Sequence, residues 1–203
     1  MIAAANPLRG LTSDAAYLHS ILTTISGPKV VVGHSYGGAV VTNAAVGVAD
    51  VKALVYIAAF APDEGESLAT LVNMNPGSQT GPDALVTRQY PLPGGGEGTD
   101  LYLTRAAFRT AFAPDLPRRT ADVLWAGQRP LALDAFTQPS GAPAWKTIPS
   151  RYVIATQDRT IPPATQRFMA ERAGSKVTRV KSSHVAMVSH PNATTKVILA
   201  AAR

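Results

Sequence analysis

One serine in this 203-residue chain sits where it could do chemistry. It lies in Gly33-His34-Ser35-Tyr36-Gly37-Gly38, directly after Val30-Val31-Val32. Three β-branched residues favour a short buried strand, and the stretch Ala39 to Gly47 favours a helix. A serine on a sharp turn between the two projects its hydroxyl from the top of a sheet, the arrangement of a nucleophile elbow. Gly33 and Gly37 are expected to leave room for a backbone crossing that a Cβ would obstruct. A helix starting at Tyr36 points free N–H groups at the oxygen where charge develops during acyl transfer. The Tyr36 N–H is therefore the expected oxyanion-hole donor.

A serine hydroxyl is a weak nucleophile. It needs an adjacent base, and the base needs an orienting acid. On an elbow of this kind these partners follow in chain order, acid then histidine, each just past a strand. Asp158 follows the apolar run Arg151 to Thr156, and His184 follows Lys176 to Lys181. Both stand where the mechanism needs them. Among the other histidines, His190 precedes Pro191 and reads as the start of the last helix. His34 points away from the nucleophile, and His19 lies mid-helix and reads as surface. Among the other acids, Asp115 and Asp134 fall in a central irregular stretch, while Asp63 follows a strand and is the runner-up.

The elements that must position these residues alternate. Ile2 to Ala5 reads as a short buried strand. A helix follows, capped by Thr12 or Ser13, with Leu18, Ile21, Leu22 and Ile25 at helical spacing. Ala53 to Ala59 is a continuous apolar run, as in a strand covered on both faces. From about Pro62 to Pro149 the chain is rich in proline, holds Gly94-Gly95-Gly96, and shows only short helical patterns, Thr104 to Ala111 and Leu116 to Gln128. This reads as a small helical cap insertion over the sheet edge that carries the site. Strand Arg151 to Thr156, helix Pro163 to Ala173, strand Lys176 to Lys181 and helix Pro191 to Ala201 follow. The expected fold is one α/β domain over residues 1–203, with a mostly parallel sheet flanked by helices and a cap at about 62–149.

Composition narrows the function classes. Hydrophobic residues make up 46% and charged ones 16%, which is globular rather than disordered. The net charge of +6 comes from scattered residues with no run longer than Arg118-Arg119, so no nucleic-acid partner is expected. No apolar run approaches a membrane span, and the start lacks the basic segment of a signal peptide. With no cysteine there is no disulfide framework, thiolate metal site or cysteine nucleophile. A cytoplasmic location is the default expectation, and a homo-oligomer is a possible assembly.

The elbow, the turn Asp158-Arg159-Thr160-Ile161-Pro162 and the loop Ser183-His184 together resemble the α/β-hydrolase superfamily. The chain is most similar to the small bacterial esterases related to plant methyl esterases and hydroxynitrile lyases. Ala59-Phe60-Ala61-Pro62 followed by a compact insertion fits that branch as well. The resemblance spans essentially the whole chain. It implies hydrolysis of a small carboxylic ester through an acyl-enzyme, with Ser35, His184 and Asp158 as catalytic triad and with no cofactor or metal. Lyases of this type have a lysine close to the catalytic histidine; here Ser183 and Val185 flank His184 and Lys181 lies three residues upstream, which favours an esterase.

Such hydrolases carry further strands before the one read at Ile2 to Ala5, and a His-Gly segment that donates the second oxyanion N–H. Only 34 residues precede Ser35 and neither feature is among them. The chain is thus read as lacking N-terminal strands, with activity weakened by one missing donor. Substrate contacts are expected from Phe60, Trp125 and Trp145, with Tyr102, Phe108 and Phe112 as further apolar surface. The alternatives are a catalytically impaired module that binds a small apolar ligand or a partner chain, and a hydroxynitrile lyase or haloperoxidase-like activity on the same triad.

Overall fold

In the computed structural model, which describes residues 1–203, helix α1 (Leu11–Thr24) leads into strand β1 (Lys29–Ser35) and helix α2 (Tyr36–Ala44). Strand β2 (Val51–Ala59) follows. The next segment holds α3 (Leu68–Val72), strands β3 (Leu85–Pro91) and β4 (Glu97–Leu103), α4 (Arg105–Ala107), α5 (Arg118–Ala126), β5 (Leu131–Ala132) and α6 (Leu133–Thr137). Alternation resumes with β6 (Ser150–Ala155), α7 (Pro163–Arg172) and β7 (Lys176–Val180), and the chain ends in α8 (Ala186–Ser189) and α9 (Pro191–Ala201).

Strands β1, β2, β6 and β7 form one parallel sheet in that order. A parallel sheet needs cover on both faces, and the alternation of side chains supplies it. Leu54 and Tyr56 of β2 and Tyr152 and Ile154 of β6 enter a core shared with α1, α2 and α7. Val55, Ile57 and Val153 face the other way, against Val180, Ala186 and the α9 residue Val197. The unbroken apolar run of β2 is thus two buried faces read in alternation. Because every connection returns to the same end, the C-terminal ends of β1, β6 and β7 lie along one edge. Ser35, Asp158 and His184 all sit at that edge.

Two local readings are corrected. Ile2 to Ala5 is not a strand: the segment is exposed and has no ladder partner. An apolar run becomes a strand only where a neighbour offers hydrogen bonds, and β1, with Val32 39% exposed, is the last strand on that side. Helix α1 is not capped by Thr12 or Ser13. Extended Gly10 is its N-cap, and the Ser13 hydroxyl donates to the Gly10 carbonyl at 3.0 Å. The helix starts earlier because Leu11, 1% exposed, already belongs to its buried face.

The insertion carries strands beside its helices. β3 and β4 pair antiparallel from Leu85↔Leu103 to Pro91↔Glu97, and β5 adds a short third strand. Gly94, Gly95 and Gly96 all have positive φ (95°, 100°, 85°) and form the turn of this hairpin. Thr104 caps the next helix by accepting from Ala107 N–H, and α4 runs into a single π-helical turn, Phe108–Phe112. That turn lies over the sheet edge that carries Ser35 and His184.

Candidate active site

Ser35 closes β1 with φ 53° and ψ −125°, a conformation side chains rarely adopt, and α2 begins at the next residue. The glycine pattern explains how the chain tolerates the turn. A Cβ on Gly33 would lie 2.5 Å from the Gly37 carbonyl oxygen, so the strand and the helix touch there. Gly37 itself has open space around its missing Cβ, which corrects its expected role. The second tight position is Gly38, where a Cβ would meet the Phe60 carbonyl oxygen at 2.3 Å. Gly38→Ala is expected to cost about 1–3 kcal/mol through this overlap. Gly37→Ala should be neutral or slightly stabilising, because alanine is the better helix former. Urea unfolding of the two variants checks the pair.

Asp158 and His184 are brought together as the order of the chain implied. Asp158 Oδ2 lies 2.7 Å from His184 Nδ1, and the two side chains are fully buried. The acid's other acceptances fix its plane. Oδ1 takes the Thr160 and Ile161 N–H groups at 2.7 and 3.1 Å, and Oδ2 also takes Gln166 Nε2 at 2.7 Å. With Nδ1–H donating to Asp158, the lone pair of His184 is on Nε2. That atom is shielded from solvent and has no hydrogen-bond partner, so Ser35 Oγ is not bonded to it in this conformation. Tyr36 opens α2, so its N–H has no acceptor within the helix.

Several contacts lie beyond what the residue order revealed. Gln166 is completely buried on α7, ties Asp158 to the Ile161 carbonyl, and accepts the Ala155 N–H. Asp14, 1% exposed, accepts from the Tyr36 hydroxyl at 2.7 Å and from Arg9 N–H, anchoring the residue beside Ser35. Burial, reinforced by Asp14, pushes the Tyr36 phenol well above its ordinary value, so it stays a donor. The sequence signal for both was a polar residue on the buried face of an amphipathic helix.

His34 is held against His184. Its Nε2 lies 2.9 Å from the His184 carbonyl; a carbonyl only accepts, so Nε2 carries the proton. Its ring lies 4.7 Å from that of His184. Burial, followed by the repulsion of a charged His184, pushes His34 down to about 3. Between about 3 and 6.5 the unfolded chain therefore binds a proton that the folded chain refuses. The sign follows: stability falls as pH drops through this window, by up to about 1.4 kcal/mol per unit. His34→Gln keeps a donor for the carbonyl and is expected to flatten the slope of unfolding free energy between pH 6.5 and 4.5. Equal slopes would remove His34 as the cause.

The remaining candidates go elsewhere. His19 is half-buried rather than surface, its Nδ1 2.9 Å from the Ala44 carbonyl at the end of α2. His190 precedes α9 beside a cleft of about 640 Å³ lined by Arg151, Thr178 and Lys196 that reaches neither Ser35 nor His184. Asp63 pairs with Lys146 at 2.6 Å, which with its hydrogen bonds holds its carboxyl below the usual range. Asp134 is exposed in the first turn of α6. Asp115 accepts from both the N–H and the hydroxyl of Ser183.

Of the aromatic candidates, Phe60 is buried against the elbow, its N–H donating to the Ser35 carbonyl at 3.0 Å. Trp125 donates to the Leu103 carbonyl and packs against the cluster of Phe108, Ala113, Ala121 and Val185. Trp145 is corrected to a core residue: it is 9% exposed and donates to the Pro62 carbonyl, with Arg172 over its ring. From the insertion it is Phe112 whose ring reaches His184, at 4.9 Å. No cluster of three His, Asp or Glu side chains is placed to hold a metal ion, and no helix is long and apolar enough to cross a membrane.

Comparison with known proteins agrees with this architecture. The alpha/beta hydrolase family matches residues 4–197. The alpha/beta hydrolase nvfD of Aspergillus novofumigatus is 27% identical over 188 residues, covering 85% of this chain and 69% of that protein. Polyneuridine aldehyde esterase superposes with a TM-score of 0.80 at 18% identity, over 98% of this chain and 82% of its own. The methylesterase MES16 from Arabidopsis gives a TM-score of 0.74 at 19% identity, over 99% and 81%. With the family match spanning nearly all of its length, the chain belongs to the alpha/beta hydrolase family.

Proposed function

We propose that this protein hydrolyses a small carboxylic ester through an acyl-enzyme formed on Ser35. The observation that carries the reading is the buried His184–Asp158 pair with a free Nε2, on the same sheet edge as a serine held at positive φ. The structural likeness to an esterase and a methylesterase supports the same class of substrate.

In the first step Ser35 Oγ attacks the ester carbonyl carbon while its proton passes to His184 Nε2. Asp158 holds the ring so that Nε2 faces the serine, and stabilises the imidazolium that forms. The negative charge on the former carbonyl oxygen is met by the Tyr36 N–H. Collapse of the tetrahedral intermediate expels the alcohol, which takes the proton back from Nε2 and leaves an acyl-serine. Water then attacks with His184 again as base, releasing the acid and restoring the serine hydroxyl. Phe112, half-buried beside His184, supplies apolar surface near the reacting groups, whereas Phe60, expected to touch substrate, is a core residue.

The test is reaction with a fluorophosphonate, followed by intact-mass spectrometry, together with turnover of short p-nitrophenyl esters. One adduct and measurable turnover, both absent in Ser35→Ala, are expected. A cooperatively melting protein that gives neither would make it a binding module.

A further inference from the structure

Resting on that reading, we propose that Asp115 is a positioning residue that holds the loop bearing the general base from the side of the insertion. Asp115 belongs to the segment between the π-helical turn and α5, outside the parallel sheet. Its Oδ2 accepts the Ser183 N–H at 2.8 Å, and its Oδ1 accepts the Ser183 hydroxyl. Ser183 is completely buried and immediately precedes His184. Two charge-assisted hydrogen bonds to one residue fix both its position and its orientation, which a single contact would not.

The rest of the loop shows why this tether matters. The Nδ1 side of the His184 ring is held by Asp158, and its backbone carbonyl by His34. Both attachments come from the body of the domain. The insertion contributes Phe112 against the ring and Phe108, Ala113 and Ala121 packed with Val185, the residue after the base. Those contacts are apolar and set no direction. Asp115 is the polar, directional contact between the insertion and this loop, and it comes three residues after Phe112. A substrate that shifts Phe112 acts on the same short segment that anchors the base. The insertion thereby serves as part of the alignment of Nε2 as well as a cover.

Three variants separate this role from simple packing. Asp115→Ala removes both bonds. Asp115→Asn preserves them, since the amide oxygen accepts from Ser183 N–H and the amide nitrogen donates to the Ser183 hydroxyl. Ser183→Ala removes one bond. Turnover is normalised to sites titrated with fluorophosphonate, so a loss of folded protein does not count. Asp115→Ala is expected to lower kcat about 10–100-fold with KM within about threefold, as misplacement of a base does. Asp115→Asn should recover most of the loss and Ser183→Ala should fall between. Unchanged kcat in Asp115→Ala, or an equal loss in Asp115→Asn, would overturn the proposal.

A second readout is independent of ester chemistry: the far-downfield proton resonance of His184 Nδ1–H donated to Asp158. It is expected in the unaltered protein and in Asp115→Asn, and lost to exchange in Asp115→Ala. Its persistence in Asp115→Ala would refute the tether even if the protein hydrolyses no ester. Failure of the esterase reading itself shows differently, as no fluorophosphonate adduct on the unaltered protein.

Discussion

Alanine at position 35 is expected to lower ester turnover by roughly 10⁵–10⁶-fold, the loss found when a triad nucleophile is removed from a working serine hydrolase. The substitution deletes one oxygen and leaves the elbow otherwise intact. Alanine has the same Cβ as serine, so the strain at φ 53° and the close approach of β1 to α2 at Gly33 are unchanged. The Ser35 carbonyl still accepts the Phe60 N–H. Folding stability should therefore shift by no more than about 0.5 kcal/mol. Turnover within a hundredfold of the unaltered protein would remove Ser35 as nucleophile. The measurement is a kcat/KM ratio on a p-nitrophenyl ester, with thermal unfolding as the control for folding.

Asp158→Asn is the second large effect, expected at about 10⁴-fold in kcat. The reason lies in which oxygen is replaced. The asparagine oxygen would stay with the Thr160 and Ile161 N–H donors, since those two bonds need an acceptor. Its NH2 would then occupy the place of Oδ2 and face two donors, Gln166 Nε2 and His184 Nδ1–H. His184 escapes the clash by moving its proton to Nε2, and in that tautomer it cannot accept the proton of Ser35. Gln166 has no such escape, because its other amide contacts run to Ala155 and Ile161. Leaving this buried donor unpaired adds a stability loss of about 1–3 kcal/mol. Combined with Ser35→Ala, the two substitutions should cost little more than Ser35→Ala alone, because the triad acts as a unit. Full additivity would mean that Asp158 acts elsewhere.

The parts of this molecule legible from residue order are those whose partners lie close in the chain or follow a repeated topology. The elbow is such a case. Strand, turn and helix fall within about twenty residues, and the contact that requires Gly33 is with Gly37, four positions on. Asp158 and His184 were legible for a different reason. In a parallel sheet each strand's C-terminal end reaches the same edge, so a residue just past a strand is near the site wherever it lies in the sequence. The two buried faces of β2 and the proline-opened helices α7 and α9 follow from local pattern alone.

Composition did not reveal which residues would meet across long separations. Asp14 and Tyr36 are 22 positions apart, Asp115 and Ser183 are 68 apart, and His34 and His184 are 150 apart. Each of these contacts depends on how the insertion and helices settle on the sheet, and nothing local distinguishes Asp115 from the exposed Asp134. The same limit explains the misread segment Ile2 to Ala5, which has the composition of a strand but no neighbour to pair with. Determined by sequence alone were the sharp turn at Ser35 and the meeting of Asp158 with His184, because both are encoded in spacing and chain order. Left to tertiary structure were the partners that orient them, because a hydrogen bond between distant residues exists only once packing has fixed both ends.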